Sequence, residues 1–323
     1  MIRRLVVGVL VLVVLTYLVV LGGVQWAFRA RTDALREGSA IATTAAGPVE
    51  YAREGSGPPV LVLPGSFGGY DQALMVGRSL VGEGYTLVAV SRPGYLRTPL
   101  AVGATPAEQA AAMVALLDSL GIRRAAVLGV SGGGPAALEL ASRHPDRVAG
   151  LILIAALSGP KAQPPGPKPA STWGDRLFGS EFSTWWMLRS LERSGTAALA
   201  APIFSDDTRR RLTAAPQLLG QYFQLAWFRF PTALRWDGYQ NDRAQFGAFR
   251  FEGFATISAP TLIVHGTLDR NAPIEHGDRA AASIGGVEYF RIEGGDHFSS
   301  IARADEVRGR VRDLLGRAAW DQR

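Results

Sequence analysis

The chain has 323 residues, a formal net charge of +6 and no cysteine. That length suits one large domain carrying an insertion, and the missing thiols exclude disulfides and thiolate metal sites. The positive charge comes mainly from arginines spread along the chain, with no Lys/Arg-rich tract interleaved with aromatics, so it gives nucleic acid no support as a partner.

The amino terminus reads as a separate element. Arg3-Arg4 precede an uncharged run from Leu5 through Phe28 dominated by valine and leucine. Roughly twenty helical residues span about 30 Å, the thickness of a bilayer core. Trp26 and Phe28 fall where an interfacial aromatic belt would lie, and Arg29 and Arg31 mark the exit. A cleaved signal peptide is the rival reading. Its apolar core is shorter, and cutting after Ala27 or Ala30 leaves Gln25 or Phe28 where a second small residue is wanted. The expectation is therefore an uncleaved transmembrane anchor over 1–28: a single-pass membrane protein with its amino end inside and its catalytic domain extracytoplasmic.

Residues 29–47, mostly small and polar, read as a linker. The sheet begins at Pro48, and strand-like apolar runs recur near 59–64, 86–91, 125–130, 148–156, 260–266 and 287–292. Helix-like runs such as Pro106 to Leu120 separate most of them. Such alternation indicates a mostly parallel sheet covered on both sides. It stops between Ser158 and Ala259. There a proline-rich stretch, 159–169, leads into a segment rich in large rings: Trp173, Trp185, Trp186, Tyr222, Phe223, Trp227, Phe228 and Trp236. The core is thus expected over 48–158 and 259–323, interrupted by an insertion over 159–258.

Gly129-Val130-Ser131-Gly132-Gly133 follows an apolar strand and leads into a helix-like segment. A serine between glycines at a sharp strand-to-helix turn is pushed out of the sheet, where its hydroxyl can attack a carbonyl carbon. It needs a base, and the base needs an orienting acid, in the chain order serine, acid, histidine. Of the four histidines, only His297 lies downstream of a well-placed acid, Asp269. Ser131, Asp269 and His297 all fall at the carboxyl ends of expected strands, the edge where open α/β sheets bind ligands. Asp206, Asp207, Asp237 and Asp242 lie in the insertion and suit the acid role less. Asp296 reads as a turn former, His144 as a helix end, His265 as a packed strand terminus and His276 as a solvated residue in a helical first turn. For the oxyanion, the amide of Gly132 is one expected donor. The second comes from the loop Pro64-Gly65-Ser66-Phe67-Gly68-Gly69, with Ser66 first and Phe67 next.

On these motifs, together with Ser91-Arg92-Pro93-Gly94-Tyr95, His265-Gly266-Thr267-Leu268-Asp269 and Gly295-Asp296-His297-Phe298, the chain resembles the α/β-hydrolase superfamily across roughly 48–318. The resemblance implies a mostly parallel eight-stranded sheet with helices on both faces, and a helical cap over the site in the insertion. One departure is Pro64, where many relatives have histidine. A serine nucleophile argues against the dehalogenase and epoxide-hydrolase branches, whose nucleophile is a carboxylate. The expected activity is cleavage of a small-molecule carboxylic ester with an apolar part, through a Ser131–His297–Asp269 triad and an acyl-enzyme, with no cofactor and no metal. An aromatic roof suits an acyl chain or ring better than a highly charged metabolite. The alternatives are an amide, peptide or carbon–carbon bond cleaved by the same triad, or a binding protein on a scaffold that has lost its chemistry.

Overall fold

A computed structural model describes residues 2–161 and 180–320. Its centre is an eight-stranded sheet in the order β1-β2-β4-β3-β5-β6-β7-β8. The strands are β1 (Ala40–Thr44), β2 (Gly47–Gly55), β3 (Pro59–Leu63), β4 (Thr86–Val90), β5 (Ala125–Val130), β6 (Val148–Ile154), β7 (Thr261–Gly266) and β8 (Glu288–Ile292). β1 and β2 pair antiparallel, as do β2 and β4, and every other pairing is parallel.

The central strands read as unbroken apolar runs because both of their faces are buried. In β3, Leu61 and Leu63 point into one core shared with α3 (Pro106–Ser119) and α4 (Gly134–Arg143). Val60 and Val62 point into the opposite core, with α2 (Tyr70–Leu80) and the carboxyl-terminal helix over Ala304–Arg317. Successive strand side chains alternate between faces, so one run of five residues feeds two helical layers.

The amino-terminal helix α1 runs from Ile2 to Glu37. It is long and apolar enough to cross a membrane by length and composition. The expected linker over 29–47 is not a linker: the helix continues through Glu37, and Ala40–Thr44 forms the edge strand paired with β2. The physical reason is tertiary contact: α1 buries Val24, Thr32 and Leu35 against the rest of the protein. Arg31 pairs with Asp71 at 2.9 Å, and the Tyr70 hydroxyl donates to the Leu35 carbonyl at 2.8 Å. Phe28 meets Phe230 of the insertion edge-on, ring centroids 6.4 Å apart.

The described part of the insertion is helical: α5 (Glu181–Ser194), α6 (Asp206–Ala214), α7 (Pro216–Trp227) and α8 (Trp236–Ala248). Two begin under serine caps, Ser180 and Ser205, each accepting a backbone N–H of the first turn. Trp173 and residues 162–169 of the proline-rich stretch lie outside the described residues. Phe204 and Tyr222 pack edge-to-face at 4.8 Å, and both reach Phe298, the residue after His297. Asp296 fixes that junction, accepting the amide of Ser205 at 2.6 Å and that of Phe298 at 2.8 Å. The remaining core helices are α9 (Glu275–Ser283), the single turn α10 (Ser299–Ala302) and α11 (Ala304–Arg317).

Candidate active site

Ser131 is the first residue after β5 and lies at φ 47°, in the left-handed region that favours glycine. A non-glycine residue there carries backbone strain, which the surroundings must hold in place. They do so by close packing. A methyl group on Gly129 would lie 2.7 Å from the Ala137 side chain, and one on Gly133 would lie 2.5 Å from the Leu63 carbonyl. The Ser131 carbonyl accepts the Leu157 amide at 3.1 Å. The glycines therefore let strand and helix approach closely enough to make the turn.

Asp269 follows β7 and His297 follows β8, neighbouring strands on the same edge. His297 Nδ1 lies 2.7 Å from Asp269 Oδ2. The other carboxylate oxygen accepts the amides of Asn271 and Ala272 at 2.8 and 2.9 Å. Burial opposes ionisation of Asp269, but the facing imidazole and the Ala272 amide outweigh it and hold the carboxyl below its usual range. An ionised carboxylate only accepts, so the shared proton belongs on His297 Nδ1 and leaves Nε2 free to act as a base.

Ser131, His297, Ser66 and Phe67 line one cavity of about 870 Å³. Gly132 and Asp269 lie just behind its wall, both buried. A methyl group on Gly132 would fall 2.7 Å from Ser66 Oγ, so the two expected oxyanion residues are adjacent across the cleft. The Phe67 backbone is at φ 64°, and its ring stacks on Tyr239 of the insertion at 4.0 Å. Most other lining is apolar, aliphatic at Val76, Leu80, Leu188, Leu191 and Leu225 and aromatic at Tyr222, Phe228, Phe246 and Phe298.

A family model described as the alpha/beta hydrolase fold matches residues 58–304. The chain belongs to the alpha/beta hydrolase family. It is 27% identical over 277 residues to the hydrolase YcgS of Bacillus subtilis (strain 168), covering 84% of this chain and 94% of that one. It is 26% identical to a 2-hydroxy-6-oxo-6-phenylhexa-2,4-dienoate hydrolase of Comamonas testosteroni, covering 83% of this chain and 91% of that one. Among solved structures, an alpha/beta hydrolase fold protein from Nakamurella multipartita superposes with a TM-score of 0.76 at 35% identity, over 86% of this chain and 98% of that one.

This hydrolase also holds groups at the site that the sequence motifs did not single out. Asp242, on α8, forms a two-pronged ion pair with Arg92 and accepts the hydroxyls of Tyr95 and Ser66, each at 2.6 Å. Burial works against the Arg92 charge, but Asp242 more than compensates and raises its pKa. Gln109 and the Pro64 carbonyl take further guanidinium hydrogens, so the buried charge is paired and hydrogen-bonded. Nearby, the buried Arg235 donates to the Phe67 carbonyl at 2.8 Å and pairs with Asp71. Arg92 sits inside a motif quoted above. Nothing in the sequence joins it to an aspartate 150 positions away.

Two other expectations meet different outcomes. His265 is packed at the end of β7, as expected, with Nε2 on the Ala272 carbonyl at 2.6 Å and 3.6 Å from Asp269 Oδ2. His276 is not solvated. It is buried against the core, and its Nδ1 accepts the Ser158 amide at 3.2 Å. Burial is the main cause that lowers its pKa to about 4. A polar first turn looks exposed in sequence, but this turn faces the chain leaving β6.

Proposed function

We propose that this alpha/beta hydrolase cleaves a carboxylic ester with an apolar part, using Ser131 as nucleophile, His297 as base and Asp269 as orienting acid. The observation that carries the reading is the 2.7 Å contact between His297 Nδ1 and Asp269 Oδ2, with His297 and Ser131 on the wall of the same cavity. Ser131 Oγ attacks the carbonyl carbon while His297 Nε2 takes its proton. The tetrahedral oxyanion is received by the amides of Gly132 and Ser66. Collapse expels the alcohol, which leaves with the proton from His297, and Ser131 holds the acyl group. His297 then activates water, and the same steps in reverse roles release the acid and restore the hydroxyl. Desolvation in a largely apolar cavity strengthens each of these charge interactions.

The test is a panel of p-nitrophenyl esters with the wild type and Ser131→Ala. Loss of the nucleophile is expected to lower kcat by a factor on the order of 10⁴ to 10⁶. Retained turnover in a folded Ser131→Ala variant contradicts the assignment. A second reading is favoured by the Comamonas testosteroni relative, whose named substrate is an oxo-dienoate and not an ester. Carbon–carbon cleavage by the same three residues belongs in the same panel.

The long apolar helix supports a further part of the reading: an uncleaved single-pass anchor, with the amino end inside and the catalytic domain outside. Reporter fusions at the carboxyl terminus test it, and activity of a cytoplasmic reporter alone overturns it.

A further inference from the structure

The mouth of the cavity has an apolar rim. Met187 and Ile203 line the cavity and are exposed, and so is Arg229 at the end of α7. Outside α1, the exposed large hydrophobic side chains among the described residues are Ile41, Phe182, Trp186, Met187, Ile203 and Leu268. Four of these six lie in the insertion. Phe182 and Trp186 stand one turn apart on α5 with their rings stacked at 6.3 Å, and Met187 is the next residue. Large apolar groups gathered on one exposed face, beside the entrance to an apolar cavity, mark a surface that meets something other than water.

The contacts of α1 show what lies next to this rim. α1 touches α5, and Phe28 packs on Phe230, the residue after Arg229. Trp227 joins the two sides of the rim. Its Nε1 donates to Glu192 of α5 at 2.5 Å, and its ring lies 5.8 Å from that of Phe230. Every residue of α1 from Leu5 to Val19 is exposed, whereas Val24 is buried against the body. The helix from Leu5 to Val24 supplies about 30 Å of apolar length, one bilayer core. The body therefore meets α1 where that length is used up, and the exposed Trp26 and Arg29 follow at once.

We infer that the mouth opens onto the membrane surface and that the substrate is a lipid-soluble ester taken directly from the bilayer. Phe182 and Trp186 seat among the headgroups, with Met187 and Ile203 at the entrance. This rests on the ester-hydrolase and anchor readings and goes further: the anchor aims the cavity as well as retaining the enzyme. Aromatic side chains at this depth bury their rings at the boundary between headgroups and acyl chains. An ester that passes from the acyl region across an apolar rim into an apolar cavity never has to hydrate its methylenes.

The experiment uses the full chain in phosphatidylcholine nanodiscs, with p-nitrophenyl palmitate dissolved in the bilayer and p-nitrophenyl acetate in the water. In the double variant Phe182→Ser, Trp186→Ser, palmitate turnover falls at least about tenfold while acetate turnover stays within about twofold, because neither ring lines the cavity. The ratio of the two rates does not depend on the fraction of enzyme that is folded. A ratio unchanged from the wild type overturns the inference and leaves the ester reading intact. A second readout needs no turnover. The chain has no cysteine, so a bimane dye on Trp186→Cys is a unique label. The control is the same dye on Ser56→Cys, exposed in the turn between β2 and β3 at the opposite edge of the sheet. Brominated phosphatidylcholine quenches the first and not the second. Two unquenched labels in a chain that stays in the discs defeat the membrane-facing mouth and keep the anchor. A quenched Trp186→Cys label with neither ester hydrolysed defeats the ester reading and keeps the mouth. A chain recovered free of lipid defeats the anchor reading, and the inference with it.

Discussion

Asp242 and Arg92, 150 positions apart, meet in a buried two-pronged ion pair with bonds of 2.9 and 2.6 Å. The pair clamps α8 of the insertion to the loop after β4, and through Ser66 Oγ it also holds the loop that carries the proposed oxyanion donor. A helix covering the site thus bears a residue that positions the machinery beneath it.

Removing one partner leaves the other charged and buried. Asp242→Asn should therefore destabilise the folded protein by about 3–5 kcal/mol. It should also lower kcat more than it raises KM, since the Ser66 loop loses the acceptor that anchors it. Denaturant unfolding and steady-state kinetics measure the two effects separately. Unchanged stability would show that Arg92 finds another acceptor.

His276 gives a pH dependence with a definite sign. Burial lowers its folded-state pKa to about 4 from the ordinary 6.5. The unfolded chain takes up this proton as the pH falls through 6.5, while the folded chain resists until about 4, so the contribution to stability is full above that window and is lost progressively within it. His276→Asn keeps an acceptor for the Ser158 amide and removes the titration. The drop in Tm between pH 7 and about pH 4.5 should be smaller in the variant than in the wild type, as read by calorimetry across that range. Identical slopes would show that His276 protonates alike in both states.

The end of α1 packs against the hydrolase core, and truncation tests what those contacts contribute. A chain starting at Pro48 loses β1, the Arg31–Asp71 pair and the Leu35 acceptor of Tyr70. It also removes Ser39, which donates to the buried Glu50 at 2.8 Å. A chain starting at Gly23 keeps all of these. The shorter form should show a Tm several degrees lower, or aggregate along the exposed edge of β2. Equal melting of the two forms would mean that residues 23–47 add nothing to the fold.

Some of this was legible from the sequence, and the reasons are physical. The parallel strands announced themselves because burial on both faces demands continuous apolar runs, as in Val60-Leu61-Val62-Leu63. Ser131 stood out because its turn requires small neighbours at fixed spacing. Strand β1 was hidden because Ala40-Ile41-Ala42-Thr43-Thr44 is an edge strand, half exposed and built of small residues. The last turns of α1 were hidden because residues 29–37 bury only Thr32 and Leu35, too few to mark a periodic face. The Arg92–Asp242 pair depends on how the insertion folds back over the sheet. No local pattern encodes that long-range contact.

The central claim is that Ser131 is an activated nucleophile. The most direct measurement is to expose the full chain to a fluorophosphonate and locate the adduct by peptide mass spectrometry. One stoichiometric adduct on Ser131, slowed by orders of magnitude in His297→Ala, is the predicted result. A folded protein that stays unlabelled, or one labelled equally fast without His297, would contradict it.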